Sequence, residues 1–187
     1  MENIFNTFTP SELAEITGLS TTMQRDWRRR GILATSDGHA KFDIYDLTEV
    51  YFMARMSESG IGPLKSGPHA FFAGLNMLSG VAKFVANEFG QPDIACKIFE
   101  AFVSSITNRI NSPPYMENVA RETPQAFDGV FIVWANGQTG LYKSFDKESA
   151  RLGENATELN GPVIVANMEA LAAQFSTRLR PFIQIGE

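Results

Sequence analysis

Residues 9–33, TPSELAEITGLSTTMQRDWRRRGIL, constrain the fold more than any other stretch, because start and stop signals for two helices fall within it. Thr9-Pro10-Ser11-Glu12 is a capping box: Thr9 caps a first helix, Pro10 fits its first turn, and Glu12 reaches back to the Thr9 backbone. Leu13 and Ile16 give the apolar spacing, and Gly18 ends the helix by accepting a left-handed backbone. Ser20 then caps a second helix after a turn of about three residues. Two helices joined this way have the form of a helix-turn-helix, whose second helix enters the major groove of DNA.

What the second helix shows to solvent then matters most. With about 100° of rotation per residue, Met23 and Trp27 fall on one side, with Leu19 and Ile32 at the ends, and are expected to point inward. Thr21, Thr22, Arg25, Arg28 and Arg29 cluster opposite them. The hydroxyls and the helix N-terminus suit phosphate oxygens, and Arg25 suits the paired acceptors of guanine. An isolated Arg28-Arg29-Arg30 run would read as a solvated helix end favoured by the C-terminal dipole. Attached to a capped turn and a buried Trp27, the same run reads as a DNA-facing surface.

The following residues extend the pattern. Gly31-Ile32-Leu33 closes the helix, and Ser36-Asp37-Gly38 signals a turn. After Lys41-Phe42, Asp43 opens a third helix that runs through Asp46-Leu47 to about Ser59. Over residues 8–63 the chain resembles the DNA-binding domain of the MerR family of bacterial regulators. That family has a small-residue turn, Ser at the start of the recognition helix, Arg in mid-helix, an aromatic two positions on, and Gly-Leu-Leu at the end. Gly18-Leu19-Ser20, Arg25, Trp27 and Gly31-Ile32-Leu33 stand in those places. The family's wing, Gly-Tyr-Arg-Arg-Tyr followed by Asp-Leu, is matched by Gly38-His39-Ala40-Lys41-Phe42 and Asp46-Leu47, and Gly60-Ile61 is similar to its closing corner. The resemblance implies a winged helix-turn-helix, double-stranded DNA as partner, a homodimer, and contact with RNA polymerase at a promoter.

Two departures weaken the expected contacts. Ala40 replaces the first wing arginine, so phosphate contact by the wing would rest on His39 and Lys41. Asp26 stands beside the DNA face, where the family usually has tyrosine. The charge balance is also acidic: residues 1–65 carry seven Lys/Arg against nine Asp/Glu, and the whole chain is −5. A strongly basic domain is the usual footprint of DNA binding. The balance here argues against nonspecific binding, and a dimer would compensate by presenting two faces together.

At 187 residues the chain holds one or two domains, and a hydrophobic fraction of 44% suits a globular core. No apolar run approaches the ~20 residues that span a bilayer. MENIFNTF lacks the features of a signal peptide, and the single Cys96 reads as a small buried residue, so a cytoplasmic setting is expected.

The division expected from the sequence is residues 1–63 as the DNA-binding domain and 68–187 as a helical plus α+β dimerisation or effector domain. Gly62-Pro63 and Ser66-Gly67-Pro68 read as a linker between them. Phe71, Leu75, Leu78, Val81, Val85 and Phe89 then follow helical spacing, with Gly74 and Gly80 as interruptions. A turn at Gly90-Asp93 leads to a second apolar stripe from Ala95 to Ile110. So many phenylalanines suit a core or dimer interface better than a ligand pocket. The glycines and Pro68 also argue against the long coiled-coil helix that commonly follows the MerR DNA-binding domain. Toward the C-terminus, strands are expected over 127–135, 141–145 and 162–166, with a turn at Asn136-Gly137 and Trp134 in the core. A final amphipathic helix carries Met168, Leu171, Ala172, Phe175 and Leu179. The fold class is therefore α+β, a winged helix-turn-helix followed by a mainly helical segment and a small lobe of about three strands.

Enzyme chemistry finds little footing. His39 and His69 have no partner at metal-ligand spacing, and no phosphate loop, nucleophile elbow or carboxylate pair stands out. No metal or cofactor is expected. The leading reading is a site-specific transcriptional regulator acting as a homodimer, with residues 20–30 as the recognition helix. A phage or mobile-element architectural protein (a packaging subunit or an excisionase-like protein) is the alternative. A protein-interaction module on a winged-helix fold is the third.

Overall fold

The computed structural model describes residues 7–34, 41–89, 129–152 and 156–182. Four helices come first: α1 Pro10–Thr17, α2 Thr21–Arg29, α3 Ile44–Glu58 and α4 Pro63–Phe89. Strands β1 Val130–Val133 and β2 Thr139–Tyr142, helix α5 Phe145–Leu152, strand β3 Ile164–Asn167 and helix α6 Met168–Leu179 follow. The class is α+β, with a three-stranded antiparallel sheet of order β2-β1-β3. The expected helix over 95–110, Cys96, and the turns at 36–38 and 90–93 lie outside the described residues.

Helix α3 is the axis of the core. Asp43 caps it through a second capping box with Asp46, and its buried residues, among them Tyr45, Leu47, Tyr51, Phe52 and Met56, lie on nearly all sides. A helix apolar all round must be enclosed, and α1, α4 and α6 pack around this one. Phe175 of α6 meets Tyr51 at 5.1 Å, Phe131 of β1 meets Phe52 at 5.1 Å, and Phe71 of α4 meets Tyr45 at 5.6 Å. The Tyr45 hydroxyl donates to the Phe71 carbonyl at 2.6 Å, which satisfies the polar end of a buried ring. One hydrophobic cluster thus joins residues from Phe8 to Leu179.

The linker expected at 62–68 is corrected: Pro63 begins α4, and the helix continues through Ser66, Gly67 and Pro68 to Phe89. Pro68 removes only the bond to the carbonyl of Leu64, in the first turns, where Leu64 itself is exposed. Gly67 in that expected linker and the interrupting Gly74 and Gly80 are contact positions. A Cβ on Gly67 would lie 3.7 Å from Met53, one on Gly74 would lie 2.8 Å from Thr48, and one on Gly80 would lie 2.5 Å from Ala172. Gly74 and Gly80 let α3 and α6 come close to α4, and that approach goes with a long helix where local signals suggest breaks.

The C-terminal strands are shorter than their apolar runs. β1 pairs Val133 with Thr139 of β2 and with Ile164 of β3. The hairpin turns at Asn136-Gly137, with Gly137 at φ +86 and the Trp134 N–H donating to Gln138 at 2.9 Å. The strand expected over 141–145 is corrected to 139–142, because Phe145 opens α5. Ser144 caps that helix through the Lys147 N–H. Trp134 is buried, as expected, packing against Tyr142 and Phe145.

Candidate nucleic-acid interface

The local signals of residues 9–33 operate as written. The Thr9 N–H donates to Glu12 Oε2 at 2.7 Å, and the Glu12 N–H to Thr9 Oγ1 at 3.3 Å. The Thr9 backbone N–H, and after it the Thr9 side chain, hold the Glu12 carboxyl below its ordinary value. Gly18 caps α1 at φ +79, and Ser20 accepts from the Met23 N–H at the start of α2. Gly31, at φ +72, reverses the chain after α2, and the Ile32 N–H returns to the Trp27 carbonyl at 2.8 Å.

The phase of α2 differs from the expectation. Met23 is 46% exposed, whereas Gln24 is fully buried beside Trp27 and Leu19. The Gln24 Nε2 group donates to the carbonyls of Pro10 at 2.8 Å and Leu19 at 2.9 Å. It ties α2 to the first turn of α1 and to the interhelical turn in one step. Neither carbonyl can accept from an apolar side chain, so a polar residue occupies the inner face. Its Oε1 is buried with no hydrogen-bond partner. Only the run of backbone carbonyls across the turn could have signalled this role, and composition does not show it.

With Gln24 and Trp27 inward, Thr21, Thr22, Arg25 and Arg29 are exposed together. Arg25 has neither an ion pair nor a ring contact among the described residues. Arg29 and Arg30 both pair with Asp26, Arg30 at 3.5 Å. Such exposed pairs are worth about 1 kcal/mol or less, so Arg29 can exchange Asp26 for another anion at little cost. Arg28 departs from the expected phosphate-facing set. Its guanidinium lies 5.3 Å from the Phe42 ring centroid, and its Nε and Nη2 are buried without a hydrogen-bond partner. In this arrangement it braces α2 against the chain leading into α3.

Phe42 is itself fixed. Its N–H donates to the Phe8 carbonyl at 2.9 Å and its carbonyl accepts from the Phe8 N–H at 2.7 Å, an antiparallel bridge closed just before α1 and α3. The bridge anchors the base of the segment after Leu33, with exposed Lys41 beside it; His39 lies outside the described residues. The turn between α1 and α2 is held by Arg55 of α3. Its Nη2 donates to the Thr17 carbonyl at 3.0 Å, it pairs with Glu58 at 2.7 Å, and it stacks over Tyr51 at 5.1 Å. Burial pushes the Tyr51 hydroxyl up, while the positive charges of Arg55 and Arg178 pull the other way.

No group of three or more metal-ligating side chains occurs among the described residues, and no described helix is long and apolar enough to cross a membrane. His69 lies on α4, hydrogen-bonded to Thr139 at 2.8 Å. The sequence matches no protein-family model, and no curated protein matches it.

Proposed function

We propose that the chain is a site-specific transcriptional regulator that binds double-stranded DNA as a homodimer through a MerR-like helix-turn-helix. One observation carries this reading: α2 is capped, locked from within by Gln24 and Trp27, and turns Thr21, Thr22, Arg25 and Arg29 outward together. A helix presented in this way suits the major groove. Arg25 reads a base edge, the threonines and Arg29 contact phosphate, and Lys41 anchors the wing. Arg28 and Phe42 set the angle of that helix. The inner glycines of α4 already meet α3 and α6 of the same chain, so the dimer uses another surface. Contact with RNA polymerase would follow at a promoter, by activation or by repression.

The acidic balance confines the positive field to one face, so binding should be strongly salt-dependent and sequence-selective. One observation favours an interaction module instead: Asp26 already pairs with Arg29 and Arg30 on the outer side of α2. Genome-wide occupancy separates the two. Sharp promoter peaks over an inverted repeat, lost with Arg25→Ala, support the regulator. Diffuse or absent occupancy, with partner binding insensitive to salt, supports the module.

A further inference from the structure

A second basic group stands at the α1–α2 turn, contributed by the far end of the chain. Helix α6 packs on α1 and α4, and Arg178 is its penultimate residue. A Cβ built on Gly18 would lie 2.7 Å from Arg55 Nη2 and 3.6 Å from Arg178 Nη1. Two guanidinium groups therefore converge on the residue that ends α1, two positions before Ser20 caps α2.

Their situations differ. Arg55 is neutralised by Glu58 and committed to the Thr17 carbonyl and the Tyr51 ring. Arg178 is exposed and has no hydrogen bond or ion pair among the described residues. Like charges brought this close repel, and of the two only Arg55 has a counter-ion among the described residues. The Arg178 charge lies against Gly18, two residues before the exposed Ser20, Thr21 and Thr22, where the positive end of the α2 dipole also favours an anion. Gly18 keeps the surface between them free of a side chain.

We infer that Arg178 contacts a DNA phosphate next to the N-terminus of α2, so that the nucleic-acid interface is composite and includes the C-terminal helix. This rests on the DNA-binding reading above. The contact is to the backbone, so it adds affinity and register but no base preference. It also makes the DNA-facing surface depend on α6 remaining docked on α1.

The test uses the full chain with Arg178→Ala and Arg178→Lys, titrated against two unrelated short duplexes over a range of salt. Removing one phosphate contact lowers the slope of log affinity against log salt by about one. Over a fourfold rise in salt, Arg178→Ala should thus lose about threefold less affinity than the parent chain. It should weaken both duplexes by the same factor, and Arg178→Lys, which keeps the charge, should restore most of the slope. Should Arg178→Ala lower the melting temperature, Arg178→Gln carries the same expectation with the side-chain stem retained. An unchanged slope and affinity, while Arg25→Ala still weakens binding, overturns the inference and leaves the DNA-binding reading intact. If the parent chain binds neither duplex at low salt and also selects none from a random pool, both fall together.

Discussion

Replacing Gln24 with glutamate tests the internal logic of the first two helices, because the substitution keeps the shape and removes only the donor. Gln24 is fully buried and gives two hydrogen bonds, to Pro10 and Leu19. A neutral carboxyl can return at most one, and it turns an acceptor toward the other carbonyl. That loss is worth about 1–3 kcal/mol before any charge is considered. Ionising the group in this site is worse, so its pKa in the folded state rises above the ordinary value for glutamate of about 4.3. The folded state then holds more protons than the unfolded state, and stability falls as pH rises. The fall begins near the unfolded pKa and continues to the raised folded one, at about 1.4 kcal/mol per pH unit. Urea unfolding of Gln24→Glu and of the parent chain at about pH 5 and about pH 7 reads both terms, provided the m-values agree. The variant should be less stable at both values, with a gap that widens toward neutrality. A variant as stable as the parent, with no pH-dependent gap, would refute the buried-donor reasoning.

Three further outcomes follow from the same contacts. Gly80→Ala should destabilise the chain by about 1–3 kcal/mol, since its Cβ would lie 2.5 Å from that of Ala172; combining it with Ala172→Gly should restore most of the melting temperature. Gly18→Ala should cost about 1–2 kcal/mol for its left-handed backbone alone, with more for the Arg55 guanidinium 2.7 Å from the new Cβ, as read by chemical denaturation. Glu12 should contribute fully above the ordinary carboxylate range and less as pH falls through its lowered pKa, so Glu12→Gln should flatten the acid limb of a stability–pH curve.

Much of the N-terminal architecture is legible because its signals are local. Thr9, Ser20 and Asp43 bond to N–H groups within three residues of themselves, and Gly18 needs only its own φ. Signals that depend on a distant partner mislead. Met23 looks apolar and Gln24 looks like a surface residue, yet the carbonyls of Pro10 and Leu19 draw the amide inward and leave the thioether in water. Gly67, Gly74 and Gly80 suggest breaks until α3 and α6 are placed against them. Arg28 reads as one more exposed arginine because the ring it covers, Phe42, belongs to a bridge with Phe8 that no short motif announces. Helix α5 goes unread because the strand expected over 141–145 absorbs both its Ser144 cap and its first residue, Phe145. Arg178 could not be associated with α2 from sequence at all, since only tertiary packing brings α6 to the α1–α2 turn.

The central claim is that the outer face of α2 reads DNA sequence. Selection of bound duplexes from a random pool, carried out in parallel with the full chain and with Arg25→Ala, tests it most directly. The account predicts an enriched, two-fold-symmetric site whose preference relaxes at one position in each half when Arg25 is removed. No enrichment over the starting pool at low salt, or an identical site with and without Arg25, would contradict it.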